Sequence, residues 1–381
     1  MSASLTTKTL NAISAGGRIG RALAVQLDDI RDGGLRTMRW RHAQVAEAAA
    51  WGQNVRREFY GELWRDAASI VGAEMRYAHG DYIVFERDGV RTRVWFHINE
   101  LDDALTLQFA LDKRAVHHLL KERGIPVPEH VAFRPDGRHA ATDFLRANES
   151  CVVKPSVGTA GGEGVTCGVQ SIDDFERAVL HAARFSPDLL LEQQATGEEY
   201  RLLFLDGELL DALKRRNPHV LADGTHSIAE LIAIENRERA EAGGQRGLVP
   251  LTVDLDCALR LRHAGLSLRS VPDAGTEVSV KSAANQSGPA DCETVHPSAL
   301  SGELIAACTE AISLVGTRFG SVELSTTDPM RPLDETGGAI FDVNGTPGLH
   351  YHYLVRDRAH ATPVAVHLLE FLLQEAKRRE G

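Results

Sequence analysis

The run Lys154-Pro155-Ser156-Val157-Gly158-Thr159-Ala160-Gly161-Gly162-Glu163-Gly164-Val165 places four glycines within seven residues, directly after an apolar segment. With no side chains in the way, the backbone amides of such a run can turn inward and form a nest for phosphate oxygens. Lys154, on the strand just before it, adds a fixed positive charge. The spacing matches neither GxxxxGK followed by Ser or Thr nor GxGxxG ahead of a helix with a downstream acid, so those two nucleotide fingerprints are excluded. Taken alone, a flexible hairpin fits the run equally well. A second set lies near the C-terminus, where Glu323 in SVELS and Asp342 with Asn344 in FDVNG offer two carboxylates and an amide oxygen on two short apolar strands. Asp342 and Asn344 share a face because they are two apart. These are hard oxygen donors, of which magnesium takes a few alongside nucleotide phosphates. Acids on apolar strands that bind no metal must be paired, so a structural ion pair is the other reading.

The elements that must position these residues belong to a chain of 381 residues, 43% hydrophobic and 25% charged. That composition is close to the soluble globular average and excludes disordered, collagenous and coiled-coil classes, and the length predicts two or three domains. A net charge of −11 argues against nucleic acid or an anionic membrane held by bulk electrostatics. The longest apolar stretches are interrupted well short of the about 20 residues a membrane span needs. The start MSASLTTKTLNAISAGGRIG lacks an apolar signal core, so a cytoplasmic protein is expected. Cys151, Cys167, Cys257, Cys292 and Cys308 form no CxxC pair and are expected as free thiols rather than disulfides or a zinc site.

Periodicity and turn signals divide the chain into three regions. The first, residues 1–105, opens with helical patterning in RALAVQLDDI, HAQVAEAAAW and FYGELWRDAASIVGAEM, and closes on a hairpin turning at Asp88-Gly89. The second, residues 106–195, starts with the helix LDKRAVHHLLKERG, where Leu111, Val116, Leu119 and Leu120 share a face and Gly124 caps the end. IPVPEHVAF then runs extended, and after the glycine-rich segment come a helix from Ile172 to about Phe185 and the strand LLLEQQ. The third, residues 196–381, begins with a hairpin turning at Asp206-Gly207, and the charged helical stretch IAELIAIENRERAEAGGQRG after it reads as solvated or mobile. A helix, SGELIAACTEAISLVG, leads into the strands GSVELSTT and GGAIFDVNG, and TPVAVHLLEFLLQEAKRR is expected to close a core.

The ordered series Lys113 in LDKRAVHHLL, RGIPVPEH, VKPSVGTAGGEGV, LEQQATGEEYRLLFLDGEL, LKRRNPHVLADGTHSIAELI, VSVKSAANQSG and ETGGAIFDVNGTPG resembles the ATP-grasp superfamily. Within it the series is most similar to the ATP-grasp domain of cyanophycin synthetases and related amino-acid ligases, with HVLADGTHSIAELI specific to that subgroup. The resemblance implies an α/β (α+β) fold in which two subdomains grip ATP, preceded by an N-terminal α/β domain. It implies that Lys113 and Lys154 hold the α and β phosphates, and that a loop including Gly158, Thr159, Gly161, Gly162, Gly164 and Val165 closes over the triphosphate. Glu192 would begin the hinge along which adenine lies, read by backbone groups near Gln193 and Gln194, and Glu199 would accept the ribose hydroxyls. Arg201, Arg215 and Lys281 would stabilise the transferring phosphoryl group or an acyl phosphate, with Asn285 assisting. Glu323, Asp342 and Asn344 would hold two magnesium ions, with manganese as a substitute.

Bland readings stand beside these. Lys113 is also a solvated helix lysine, and Arg215 with Arg216 a charged hairpin face. His219 and His226 either act in the subgroup segment or brace a loop; His350 and His352 in GLHYHY suit substrate contact or packing better than a metal pair. His117 and His118 read as helix surface. The implied activity is ATP-dependent joining of a carboxylate to an amine through an acyl phosphate, on amino-acid or small-peptide substrates, with a homodimer left open. An ATP-grasp kinase, another nucleophile or a non-catalytic nucleotide-binding protein are the rivals. Three departures from the family pattern appear. The chain ends where a further ligase domain would begin, RSTAN reads KSAAN with a shortened run QSGPAD after it, and the carboxylates of the two metal-binding strands are exchanged in length.

Overall fold

In the computed structural model, which describes residues 54–157 and 162–380, the first element is a helix, α1 (residues 54–71). RALAVQLDDI and HAQVAEAAAW lie outside the described residues. Along α1, Val55, Phe59, Tyr60, Leu63, Trp64 and Ala67 recur at helical spacing and are buried. The helix stops at Val71 because Gly72 takes a left-handed φ of 74°. AEM, expected to continue it, instead opens β1 (Glu74–His79), a mostly exposed edge strand with no apolar alternation to announce it. β2 (Tyr82–Arg87) and β3 (Val90–Trp95) form the expected hairpin, Asp88 and Gly89 having φ of 54° and 80°.

Next come α2 (Ala104–Ala110) and α3 (Lys113–Glu122), which are separate helices. Asp112 caps α3 by accepting from the amides of Arg114 and Ala115, so Leu111 falls between the two, 37% exposed, rather than on the apolar face. A four-stranded antiparallel sheet follows from β4 (His130–Phe133), β5 (Cys151–Pro155), β6 (Thr166–Val169) and β7 (Leu189–Gln193), in the order β4-β7-β5-β6. The helices α4 (His139–Ala147) and α5 (Ile172–Ala182) share its core, where Phe133, Val153 and Leu191 meet Leu145, Phe175 and Val179.

The hairpin β8 (Glu198–Leu205) and β9 (Glu208–Arg215) turns at Asp206 and Gly207, as expected. β10 (His219–Leu221), α6 (Ile228–Glu241), α7 (Leu255–His263) and β11 (Glu277–Ser279) then build a small unit around Val220, Ile228, Leu231, Cys257 and Val278. The stretch expected to be solvated or mobile is therefore a packed helix. Ser227 and Glu230 form its capping box, and Arg239 is buried, donating to Glu235 and to the Val249 and Gln286 carbonyls.

The last sheet adds β12 (Cys292–Thr294), β13 (Phe319–Thr326) and β14 (Ala339–Gly345) in the order β12-β9-β8-β13-β14, all antiparallel. α8 (Gly302–Val315) packs on one face, with α2 and α3 against the same core and the one-turn α9 (Leu333–Thr336) at its edge. α10 (Val364–Glu380) closes a core, but it is the one made by α1 and the β1–β3 sheet. There Leu368, Leu369, Leu372 and Leu373 meet Trp64, Ile83 and Phe85, so the N-terminal and C-terminal segments share an interior. All five cysteines are free, and no helix among the described residues is long and apolar enough to cross a membrane.

Trp64 is fully buried against Phe85 and its indole donates to the Phe96 carbonyl at 2.7 Å. Trp64→Ala is expected to cost about 3–5 kcal/mol in chemical denaturation. Replacing Ile70, which is 69% exposed, with Ala is expected to change stability by no more than about 0.5 kcal/mol.

Candidate active site

β13 lies between β8 and β14, and one register position carries the chemistry. Glu323 is directly paired with Arg201 on one side and Asp342 on the other. Alternation explains why all three face away from the core: Tyr200, Leu202, Val322 and Leu324 fill the interior, so the residues between them point the other way. β14 departs from strict alternation through a bulge at Phe341, which lets Ile340 and Val343, three apart, both reach the core. The Phe341 carbonyl accepts from Lys154 Nζ at 3.2 Å and lies 3.2 Å from His117 Nε2.

The resulting cleft of about 2190 Å³ lies between the two larger sheets, with residues 281–284 and part of the N-terminal segment as further walls. Arg201 donates to Glu323 Oε1, and Arg215 Nη2 reaches Glu323 Oε2 at 3.0 Å and also donates to Glu199. Both guanidiniums stand over the Tyr351 ring, 5.0 and 5.6 Å from its centroid. Lys113, the first residue of α3, donates to Asp342 Oδ1 at 2.6 Å, and Lys154 meets Glu192 Oε1 at 2.7 Å. Lys113 is thus a cleft residue and not a solvated one. Its amide also donates to the Ser156 carbonyl at 2.9 Å, which fixes α3 beside the glycine-rich run.

Burial opposes the charges on Lys113, Glu323, Asp342 and Glu199, and their partners decide the outcome. At Lys113, burial is outweighed by the Asp342, Glu323 and Glu192 carboxylates, and the ammonium is stabilised. Burial likewise disfavours ionised Glu323 and Asp342, yet Arg215 with Arg201 and Lys113 with Lys154 hold both below the usual carboxylate range. At Glu199 burial prevails and the pKa rises in spite of Arg215.

Gly162 and Gly164 have φ of 75° and 76°, and a Cβ at Gly164 would come within 2.8 Å of Phe185 and 2.9 Å of Pro155. Only glycine suits that turn. Gly158, Thr159 and Gly161 lie outside the described residues, while Val165 follows the turn and lines the cleft. Gln193 and Gln194 sit at the cleft edge, and their amides donate to the Glu129 and Ser150 carbonyls at 2.8 and 2.9 Å.

Lys281 is held apart from the Glu323 set, by Asp254 at 2.5 Å with Asp256 at 3.9 Å. Burial pushes the Asp254 carboxyl up, but Lys281 and His181 pull it down to about 2. Asp256 accepts from the amides of Cys167, Ser282 and Ala283, tying β6 to the KSAAN segment. Sequence reasoning missed these two aspartates; their signal is an acid just ahead of an apolar helical run, since Asp254 caps α7. The Asn285 backbone lies in a short 3-10 turn, Ala284–Gln286.

The histidines separate. His117 is buried rather than on the surface, its Nδ1 3.6 Å from Glu192, whereas His118 is exposed. His219 pairs with Asp291 and His226 with Asp223, each at 2.6 Å, the latter bracing an exposed loop. His350 and His352 lie on a 3-10 turn, not a strand: His352 is buried on Asp211 at 2.6 Å and His350 lines the cleft.

Two carboxylates at paired positions and an amide oxygen two residues on make a donor set that fits a hard divalent cation completed by phosphate oxygens. No cluster of three or more His, Cys, Asp or Glu ligands occurs among the described residues.

No family model matches the chain. The cyanophycin synthetase of Trichormus variabilis is 30% identical over 310 residues, 76% of this chain and 34% of that protein. The glutathione biosynthesis bifunctional protein GshAB of Pasteurella multocida is 28% identical over 284 residues, 72% of this chain and 36% of that one. The chain thus spans about a third of the length of these curated relatives. A solved bifunctional glutathione synthetase from Pasteurella multocida superposes with a TM-score of 0.49 at 20% identity, over 80% of this chain and 42% of that chain. The chain carries an ATP-grasp domain related to that of the cyanophycin synthetases.

Proposed function

We propose that the protein is an ATP-dependent carboxylate-amine ligase acting on amino-acid or small-peptide substrates in the cytoplasm. The observation that carries this reading is the convergence of Lys113, Lys154, Arg201 and Arg215 on Glu323, Asp342 and Glu192 beside a glycine-rich turn. Such a cleft suits phosphoryl transfer, whose catalysis is positioning plus neutralisation of charge on the equatorial oxygens. Lys113 and Lys154 take the α and β phosphates, and the loop with Gly158, Thr159, Gly161, Gly162 and Gly164 covers the triphosphate and keeps water out. Adenine lies along Glu192, Gln193 and Gln194, with its ribose on Glu199.

Arg201 and Arg215 orient the carboxylate and balance the charge that grows as the γ-phosphoryl passes to it, with Lys281 on a further wall of the cleft and Asn285 assisting. The acyl phosphate is then open to an amine, giving an amide, ADP and phosphate. Glu323, Asp342 and Asn344 would hold two magnesium ions, or manganese, whose chemistry is to neutralise phosphate charge. The three-part division at about residues 105 and 195 is part of this proposal, with α2 and α3 resting on the larger sheet.

ATP-dependent phosphate release, screened against single amino acids and pairs with mass spectrometry of new amides, tests the reading. ATP should end as ADP, and hydroxylamine should convert the activated acid to a hydroxamate; formation of AMP and pyrophosphate would refute it. A second test uses the direct pairing of Glu323 with Asp342. Because magnesium demands near-octahedral geometry at about 2.0–2.1 Å, Glu323→Asp and Asp342→Glu should each lower kcat at least about tenfold. The double exchange should recover a large part of the loss, and simple additivity of the two would mean that the carboxylates share no ion.

A further inference from the structure

One end of the cleft is walled by the N-terminal segment, which contributes Arg56, Trp95, Phe96, His97 and Ile98, none of them acidic. Tyr60 organises this end. Its ring lies 5.8 Å from Phe96, 5.8 Å from His97 and 6.5 Å from His350, and its hydroxyl accepts from the Leu349 amide at 3.2 Å and lies 3.3 Å from His350 Nδ1. The His350 ring in turn lies 4.0 Å from that of Tyr351, tilted by 36° to it, and Tyr351 is the ring beneath Arg201 and Arg215. The pocket is therefore continuous with the place where the proposed acyl phosphate would form.

Two observations mark it as built for a ligand. Phe96 is held at φ 54°, a conformation unusual for a bulky residue, by the hydrogen bond from Trp64 to its carbonyl. His97 Nδ1 is buried with no hydrogen-bond partner among the described residues. Burial, with Arg56 and Arg201, pulls the His97 imidazole down to about 4, and burial, with His97, Arg56 and Arg201, lowers His350 well below the ordinary range. Both rings are therefore neutral at pH 7, and a neutral imidazole keeps one nitrogen as an acceptor. Arg201 is already assigned to the carboxylate being activated, so among the described residues Arg56, whose charge acts on Tyr60, His97 and His350, is the cation that this end offers to a second carboxylate.

Resting on the ligase reading above, we infer that this pocket receives the amine-bearing substrate as an amino acid, its own carboxylate on Arg56 and its nitrogen toward His97. A group with one negative and one positive end matches an exposed guanidinium beside a neutral ring acceptor, whereas a plain amine would leave Arg56 unused.

The test uses the full chain with ATP, magnesium and the acid that yields a hydroxamate. Hydroxylamine competes against matched nucleophiles: serine with ethanolamine, arginine with agmatine, and lysine with 1,5-diaminopentane. For the accepted pair, the amino acid should outcompete its decarboxylated partner by about tenfold in amide formed, as expected for loss of a charge-assisted contact. Arg56→Met should erase that preference and shift product toward hydroxamate, and Arg56→Lys should restore part of it. Arg56 is exposed, so its replacement leaves the core intact. Equal use of both nucleophiles by the wild type, or an unchanged preference in Arg56→Met, overturns the assignment. So does a raised KM for the acid in the hydroxamate assay, which would give the pocket to the other substrate. Absence of any hydroxamate from the wild type would instead defeat the ligase reading, and this pocket with it.

Discussion

Glu323 stands between Arg201 and Asp342 on adjacent strands, and the cleft depends on how that buried row of charge is compensated. An isolated carboxylate taken out of water would become protonated rather than remain charged, and two carboxylates side by side would raise each other further. Arg201 and Arg215 on Glu323, and Lys113 on Asp342, reverse this, so that both acids lie below their usual range despite burial. The cations come from different parts of the fold: Lys113 from α3, Lys154 from the four-stranded sheet, and the arginines from β8 and β9. Charge balance in the cleft therefore requires the sheets and helices to meet in one arrangement. Removing one partner of such a set leaves the others uncompensated, a far larger penalty than the net value of the pair.

The same cleft shows why parts of the molecule were legible in sequence and others were not. Local rules were enough for the two hairpins, because Asp-Gly between alternating runs specifies a turn with two positive φ angles, and both Asp88-Gly89 and Asp206-Gly207 adopt it. They were enough for β13 and α8 as well, where apolar periodicity coincides with burial. They failed at β1, whose exposed edge residues carry no pattern, and at Leu111, where the cap at Asp112 overrides an apolar spacing that looks continuous. α6 misled for a different reason: its charge density is real, yet Arg239 spends its charge inside the protein on backbone carbonyls. His117 was misread alike, since a helix surface in isolation becomes an interior once Glu192 and β14 cover it.

Convergence of distant residues is the part that local reasoning cannot supply. Lys113 and Asp342 are 229 positions apart, and Lys281 meets Asp254 and Asp256 only after the chain has folded back from α7 to the KSAAN segment. Their types hinted at charge, but a lysine's partner is set by topology. The resemblance to the ATP-grasp superfamily filled this gap for Lys113 and Lys154 and left Asp254, Asp256, His97 and Arg56 unmentioned. Those are contributed by segments whose sequence carries no recognised motif.

The bulge at Phe341 links the register to the lengths of the two carboxylates. A bulge inserts one residue, bends its strand and re-aims the backbone on either side. Here it turns the Phe341 carbonyl toward Lys154 and His117, and leaves Asp342 directly opposite Glu323 while Ile340 still packs inward. On the bulged strand a short aspartate already meets Lys113 at 2.6 Å, whereas Glu323, on β13 between β8 and β14, has two arginines to reach. The shorter and longer arms thus sit where the backbone asks for them. The lengths of the two carboxylates answer to one backbone feature shared by the two strands.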